Sequence, residues 1–344
     1  MKITINTNYN SAATKVCVTD LIPKLIQTGH EVRHNHWNDY KNCDLVLFMA
    51  KDAEIEQVRR QNPKAVVGIM DPKLDRNKNH QSESADFLLV SSVEQRDALL
   101  SINPNIVIYY MFPETPVIKK IHQPVDKILI GYHGNKLHLH AFYPVISKAL
   151  DLLSEKYNIE LTAIYNINEL GKWKKGLPAK IKVNHLQWIE NEYINDLSKC
   201  DIGIVNNLKP IRNNLINLRI HPFWSEIFGR GYGYDYTDLK TRYKYNTNPG
   251  RIYVFSQLGI PVVSDFVPSA VQFIRHGYSG LLAHTAQGWY NALESLILDY
   301  RLRNEYSQNL KKYIDENYSI SLNFNNLNEY LISLVNRRHD KKNH

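Results

Sequence analysis

Three apolar runs in the first part of the chain, VLFM at Val46–Met49, AVVGI at Ala65–Ile69 and FLLV at Phe87–Val90, carry no polar residue at alternate positions. A strand with one wet face shows alternation at period two. A run without it needs cover on both faces, as in the centre of a parallel sheet. Segments of helical period separate the runs, so the chain builds repeated strand–helix units into an open α/β sheet with helices on both sides. The pattern predicts strands at 2–6, 31–35, 43–50, 65–70, 86–91 and 105–110, with helices at 12–27, 52–61 and 93–101.

The alternation stops at Phe112–Val125, where Pro113, Pro116 and Pro124 fall in a stretch without a clear period, and it restarts at Lys127. Strands are then expected at 127–132, 159–165, 180–183, 201–205 and 260–264. Helices are expected at 139–156, 191–199, 249–258 and 269–275, and over most of 286–312 and 321–335. A chain of 344 residues holds more than one core. The expected division is a Rossmann-like domain over 1–112, a linker over 113–126, and a second Rossmann-like domain over 127–317 with an insertion at 206–245. A carboxyl-terminal helix and polar tail over 318–344 then pack back on the first domain. In such sheets ligands bind beyond the carboxyl ends of the strands, so a cleft between the two halves is the expected place for one.

The most informative segment is NTNPGRIYVFSQLGIPVVSD, residues 246–265. Asn248 suits an N-cap and Pro249 the first helical position, so a helix should start there. Free N–H groups at Asn248 and Gly250, the positive end of the helix dipole and the Arg251 guanidinium would then converge on a phosphate or diphosphate, with Lys244 adding charge. Taken alone, the same residues also describe an ordinary capped helix with a surface arginine.

The wider context resembles the carboxyl-terminal domain of GT-B glycosyltransferases, especially the large bacterial retaining family (family 4-like, glycosyl transferases group 1). The matching residues are Gly259-Ile260-Pro261-Val262-Val263, the turn His276-Gly277-Tyr278-Ser279-Gly280-Leu281-Leu282, and Trp289 with Leu293 on the next helix. Trp188-Ile189-Glu190, followed by Tyr193, Leu197 and Cys200-Asp201-Ile202-Gly203-Ile204, resembles the family's elements beside the nucleotide base and ribose. The resemblance implies two Rossmann-like domains facing each other across a cleft. It also implies a nucleotide-sugar donor, no cofactor beyond that donor, and no catalytic metal. One departure stands out: the family's pair of glutamates for donor sugar and ribose falls at Asn246 and Val254.

A second site opens the second domain, GYHGNKLHLHAF at 131–142. Gly134 and Asn135 allow close backbone approach to a ligand, and Lys136 is placed to meet phosphate. A tight strand–helix turn would use the same residues. His133, His138 and His140 have no accompanying carboxylate pair, so His133 reads as a polar or catalytic donor to substrate and not as a metal ligand. In the first domain Asp71 follows a strand, where a carboxylate could deprotonate an acceptor hydroxyl or simply form the turn before Pro72. Asn8, Tyr9 and Asn10 after the first strand are further acceptor-side candidates. The insertion carries Arg212, Arg219, His221, Trp224, Arg230, Tyr232, Tyr234 and Tyr236, types that suit sugar, phosphate or single-stranded nucleic acid, or a packed structural insertion.

Composition narrows the class. A hydrophobic fraction of 43% with 22% charged residues is that of a folded soluble protein. Cys17, Cys43 and Cys200 stand far apart and read as buried free thiols. The amino terminus MKITINTNYN reads as a strand without the apolar core of a signal peptide, and no run reaches the roughly 18 apolar residues of a bilayer span, so a cytoplasmic protein is expected. A net charge of +8 permits peripheral association with an anionic membrane at its inner face. No nucleic-acid motif accompanies the charge, and no nucleic-acid partner is expected. The expected activity is transfer of a sugar from a nucleotide sugar to a cell-envelope glycan or lipid-linked acceptor. A non-catalytic nucleotide- or polysaccharide-binding protein of the same fold is the first alternative, and a basic nucleic-acid-binding protein the second.

Overall fold

A computed structural model describes residues 1–9, 12–50, 53–73, 80–208 and 247–340. Asn10, Lys244, Asn246 and the aromatic and arginine residues of the insertion lie outside the described residues. The chain divides into two compact units. The first takes the chain up to Pro113, the short segment 247–250 and the chain from Asn317 onward; the second takes Glu114 to 208 and Arg251–Glu316.

In the first unit β1 (Lys2–Asn6), β2 (Glu31–His34), β3 (Leu45–Met49), β4 (Val66–Met70), β5 (Phe87–Val90) and β6 (Ile106–Ile108) form one parallel sheet in the order β2-β1-β3-β4-β5-β6. The three unalternating runs become β3, β4 and β5, each buried at every position. Alternate residues of β3 go to opposite faces. Leu45, Leu47 and Met49 join Cys17, Leu21 and Leu25, whereas Val46 and Phe48 join Tyr40, Val58 and Leu99. The carboxyl-terminal helix Ile320–Asp340 covers the first of these faces through Phe324, Leu327, Leu331 and Val335, an apolar stripe at helical spacing. Each such buried side chain contributes about 1.5–3 kcal/mol.

In the second unit β7 (Ile128–His133), β8 (Ile159–Tyr165), β9 (Lys182–Gln187), β10 (Ile202–Val205), β11 (Val262–Asp265) and β12 (Leu281–Ala283) are also all parallel. Their order is β12-β11-β10-β7-β8-β9, so the winding reverses between β7 and β10. The Pro-containing segment read as a linker is fastened to this unit from Glu114 onward. Ile118 N–H donates to Gln257 O at 2.8 Å, Lys120 Nζ to Ser198 O at 3.0 Å, and Arg303 Nη2 to Gln123 O at 3.0 Å. Prolines deprive the segment of a period, yet these bonds hold it to the second unit.

Several elements differ from the sequence expectation, among them two short helices, His80–Ser84 and Ile167–Leu170, that no pattern announced. The helix expected over 12–27 is broken, with Lys15–Thr19 wound as a π-helix ahead of Leu21–Gln27. The helix expected over 139–156 divides into Lys136–Leu139, a 3₁₀ turn and Val145–Ser154, because Pro144 lacks the N–H that a continuous helix needs. β9 runs on to Gln187 although Asn184 and His185 interrupt its apolar run, since an edge strand is only half covered. Leu281–Ala283, read as the end of a turn, is an edge strand. All three cysteines are free and buried. Among the described residues no helix is long and apolar enough to cross a membrane.

Candidate functional site

The reversal of winding in the second unit is where a doubly wound sheet opens a crevice for ligands. There β7 ends in His133 and Gly134, and β10 is followed by buried Asn206 and Asn207. Arg251, near the start of the helix Gly250–Gln257, reaches this point. Its Nη2 donates to Asn206 O at 2.6 Å and to Asn207 Oδ1 at 2.7 Å, and its guanidinium lies 5.7 Å from the centre of the Tyr132 ring. Gly134 has φ +136, and a Cβ there would come within 3.2 Å of both Arg251 Cδ and the Tyr132 hydroxyl. Glycine is what lets the arginine pass.

The charge on Arg251 is held almost wholly by neutral acceptors. No carboxylate lies within ion-pair range of it among the described residues; Asp265, at the end of β11, acts on it from farther away. The Asp265 carboxylate accepts from Asn207 N at 2.8 Å and Leu208 N at 3.1 Å, fixing the loop that in turn fixes the guanidinium. Burial lowers the arginine's pKa, opposed by Tyr132 and Asp265. A partly buried cation without a contacting anion gains from an anionic ligand.

His133 is buried, and its pKa is pushed down to about 3, first by burial and then by the Arg251 charge. Its imidazole is therefore neutral at physiological pH, and Nε2 has no hydrogen-bond partner among the described residues. The ring stacks on Tyr193 at 5.6 Å and meets Phe255 edge-on at 5.2 Å. Tyr193 lies 5.8 Å from Trp188, directly after β9. Three rings thus run from the end of β7 to the end of β9, a surface suited to a flat base or a sugar.

The Asn135 carboxamide oxygen accepts from Leu137 N at 2.9 Å, so it caps the helix Lys136–Leu139. The Lys136 ammonium lies beside Gly171, 3.7 Å from where a Cβ would sit. Ile189 and Glu190 are exposed in the turn after β9. His138 supplies its carbonyl to the Asn206 side chain. No group of three or more His, Cys, Asp or Glu side chains arranged to hold a metal occurs among the described residues.

In the first unit, Asn248 caps the helix start. The helix begins at Gly250, and the Gly250 N–H donates to Asn248 Oδ1 at 3.0 Å. The Asn248 Nδ2 donates to Met111 O at 2.9 Å, and Ser91 Oγ donates to Thr247 O at 2.8 Å. Asp71, 5% exposed, sits at φ +47, pairs with Lys73 and accepts from Gln95 Nε2 at 3.2 Å. Left-handed conformations also follow β2 at Asn35 and β3 at Ala50. Such strained strand ends concentrate at functional edges. Asn8 and Tyr9 are exposed beyond β1, with Tyr9 N donating to Thr7 Oγ1 at 3.1 Å.

Sequence reading passed over Asn206, Asn207, Tyr132 and Asp265 as site residues. The available signals were the Asn-Asn pair directly after an apolar strand and the acid closing VVSD. Nothing local said that both converge on Arg251.

Two doubly wound, fully parallel six-stranded sheets on one chain are the GT-B fold of glycosyltransferases. No family model matches the sequence, and no curated protein matches it significantly. Among solved structures, the chain is similar to Anabaena HepE in complex with UDP and glucose, with a TM-score of 0.60 and 12% identity over 97% of this chain and 100% of HepE. It is also similar to sucrose-phosphate synthase from Thermosynechococcus elongatus, with a TM-score of 0.61 and 11% identity over 97% and 99% of the two chains. A third similar structure is an alpha-glucosyltransferase in complex with UDP, with a TM-score of 0.60 and 11% identity over 96% and 100%.

Proposed function

We propose that the protein is a glycosyltransferase that moves a sugar from a nucleotide-sugar donor to a cell-envelope glycan or lipid-linked acceptor. The observation that carries this reading is the Arg251 guanidinium, partly buried at the switch point of the second sheet and held there by neutral acceptors. UDP is the first nucleotide to test, because HepE and the alpha-glucosyltransferase were both solved with it. Arg251 meets the diphosphate, with Gly134, Asn135, Lys136, Lys244, Asn248 and Gly250 as the further diphosphate group. Trp188, Ile189 and Glu190 meet the base and ribose.

In this reading the chemistry is transition-state electrostatics. As the glycosidic bond to phosphate lengthens, negative charge grows on the departing diphosphate, and a preorganised guanidinium stabilises it more than it stabilises the ground state. Neutral His133 donates or accepts a hydrogen bond without adding charge. On the acceptor side, Asp71 takes the hydroxyl proton, with Asn8, Tyr9 and Asn10 as acceptor contacts. Transfer is metal-independent and retaining, and takes place in the cytoplasm at the inner face of the membrane.

A second reading, a binder that does not transfer sugar, is favoured by one observation. Val254, at a position where the resembling family carries a glutamate, is fully buried in the core and offers nothing to a ribose. Isothermal titration with nucleoside diphosphates, followed by a search for nucleotide release on adding acceptor, decides between them. Nucleotide binding without release in the presence of any acceptor favours the binder; no nucleotide binding by the wild type overturns the transferase and the nucleotide binder alike.

A further inference from the structure

The loop 171–177 of the second unit displays Lys172, Lys174 and Lys175, all exposed. It is a fixed platform and not a free tether. Trp173 is buried beneath it, its backbone N–H donates to the Tyr165 hydroxyl at 2.8 Å, and its indole N–H donates to Lys175 O at 2.7 Å. Ser147 Oγ donates to Gly176 O at 2.6 Å, tying the loop to the helix Val145–Ser154.

Two independent features mark this platform. The first is uncompensated charge. None of the three lysines, nor Lys136 beside Gly171, makes an ion pair among the described residues, and the nearest acid in sequence, Glu169, makes none either. Lys136 and Lys175 both act on His140 strongly enough to help lower its pKa, after burial. The second is exposed apolar surface among those charges. Leu137 is 58% exposed and Tyr143 55%, and Leu177 follows the lysines in the loop. A Cβ on Gly176 would touch Tyr143 Cβ at 3.3 Å and His140 O at 2.9 Å, which places the tyrosine and the loop side by side.

Basic side chains interleaved with exposed leucine and tyrosine match the interface of an anionic bilayer, where amines meet lipid phosphates and the apolar side chains enter the headgroup layer. A soluble polyanion would reward the lysines but not the leucines. We propose that the loop 171–177, with Leu137 and Tyr143, is a docking face for an anionic phospholipid surface. It deepens the membrane-side reading above and rests on it for its purpose, a lipid-linked acceptor, while the contact itself rests on this surface.

The test is co-sedimentation of the full chain with phosphatidylcholine vesicles, with and without phosphatidylglycerol, alongside titration of the same proteins with UDP. Wild type is expected to sediment with the phosphatidylglycerol vesicles alone and to be released by salt. Loss of each lysine should weaken binding roughly fivefold. The triple variant Lys172→Glu, Lys174→Glu, Lys175→Glu should therefore stay in solution, and Leu137→Ser with Leu177→Ser should weaken binding about tenfold at constant charge. Unchanged melting temperatures report that the variants fold. Wild-type-like sedimentation of the triple variant, no vesicle binding by wild type, or preference for a single-stranded oligonucleotide overturns the proposal. UDP affinity is read separately, so failure of the donor reading shows as absent UDP binding whatever the vesicles do.

Discussion

The Arg251 guanidinium lies 2.6 Å from the main-chain oxygen of Asn206, so the cation at the switch point is held by the end of a strand some 45 residues earlier in the chain. Arg251→Ala removes the guanidinium from the switch point. Charge-assisted hydrogen bonds contribute about 1.5–3 kcal/mol each, so UDP affinity should fall roughly ten- to hundredfold by calorimetry. Arg251→Lys should recover little of it, because an ammonium cannot reproduce the fork held by Asn206 and Asn207. Equal affinity in wild type and Arg251→Ala would remove the diphosphate assignment.

Asp71→Asn separates a base from a turn former. Asparagine tolerates the left-handed conformation seen at φ +47, so the turn survives, whereas the proton acceptor is lost. The turnover number should drop by about 10²–10⁴ with UDP affinity unchanged. Full activity in this variant would leave Asp71 with the turn alone.

Gly203 in β10 faces the Phe255 ring, and a Cβ there would sit 2.7 Å from the ring. Gly203→Ala should cost about 1–3 kcal/mol of stability by chemical denaturation. Because His133 packs edge-on against Phe255, UDP binding should weaken in the same variant. A stability equal to wild type would contradict the close approach.

Stability should also depend on pH through two buried histidines. His122 is pushed down to about 4 by burial, and His133 to about 3. Below the ordinary histidine value near 6.5 the unfolded chain takes up protons that the folded chain does not, so stability is complete above that value and is lost progressively as pH falls toward 4. His122 Nε2–H donates to Gly259 O at 2.9 Å. Urea midpoints measured from pH 7 to pH 4 should fall, and less steeply in His122→Gln; a flat profile in wild type would contradict both shifts.

Asn248→Ala removes the acceptor for Gly250 N–H and the donor to Met111 O. The expected loss is about 1 kcal/mol in a denaturation midpoint. Asn248→Asp keeps the first bond and loses the second, and should fall between the two.

The α/β architecture was legible in VLFM, AVVGI and FLLV, because an unalternating run has only one stable environment, the inside of a covered parallel sheet. The carboxyl-terminal helix was legible for a similar reason: Phe324, Leu327, Leu331 and Val335 repeat at helical spacing. Pro144 marked the break in its helix as well, although the expected helix ran through it. Arg251 stood out because a capped helix start beside an arginine has a local meaning. What the sequence left open was where these residues meet. Strand order is set by which sheet edges pair, and packing alone placed Asn206, Asn207 and Asp265 around Arg251 and stacked His133 on Tyr193. The same packing set exposed Tyr143 beside Gly176 of the loop 171–177. Periodicity reports the environment of each segment; convergence of distant strand ends depends on tertiary pairing, which no local pattern encodes.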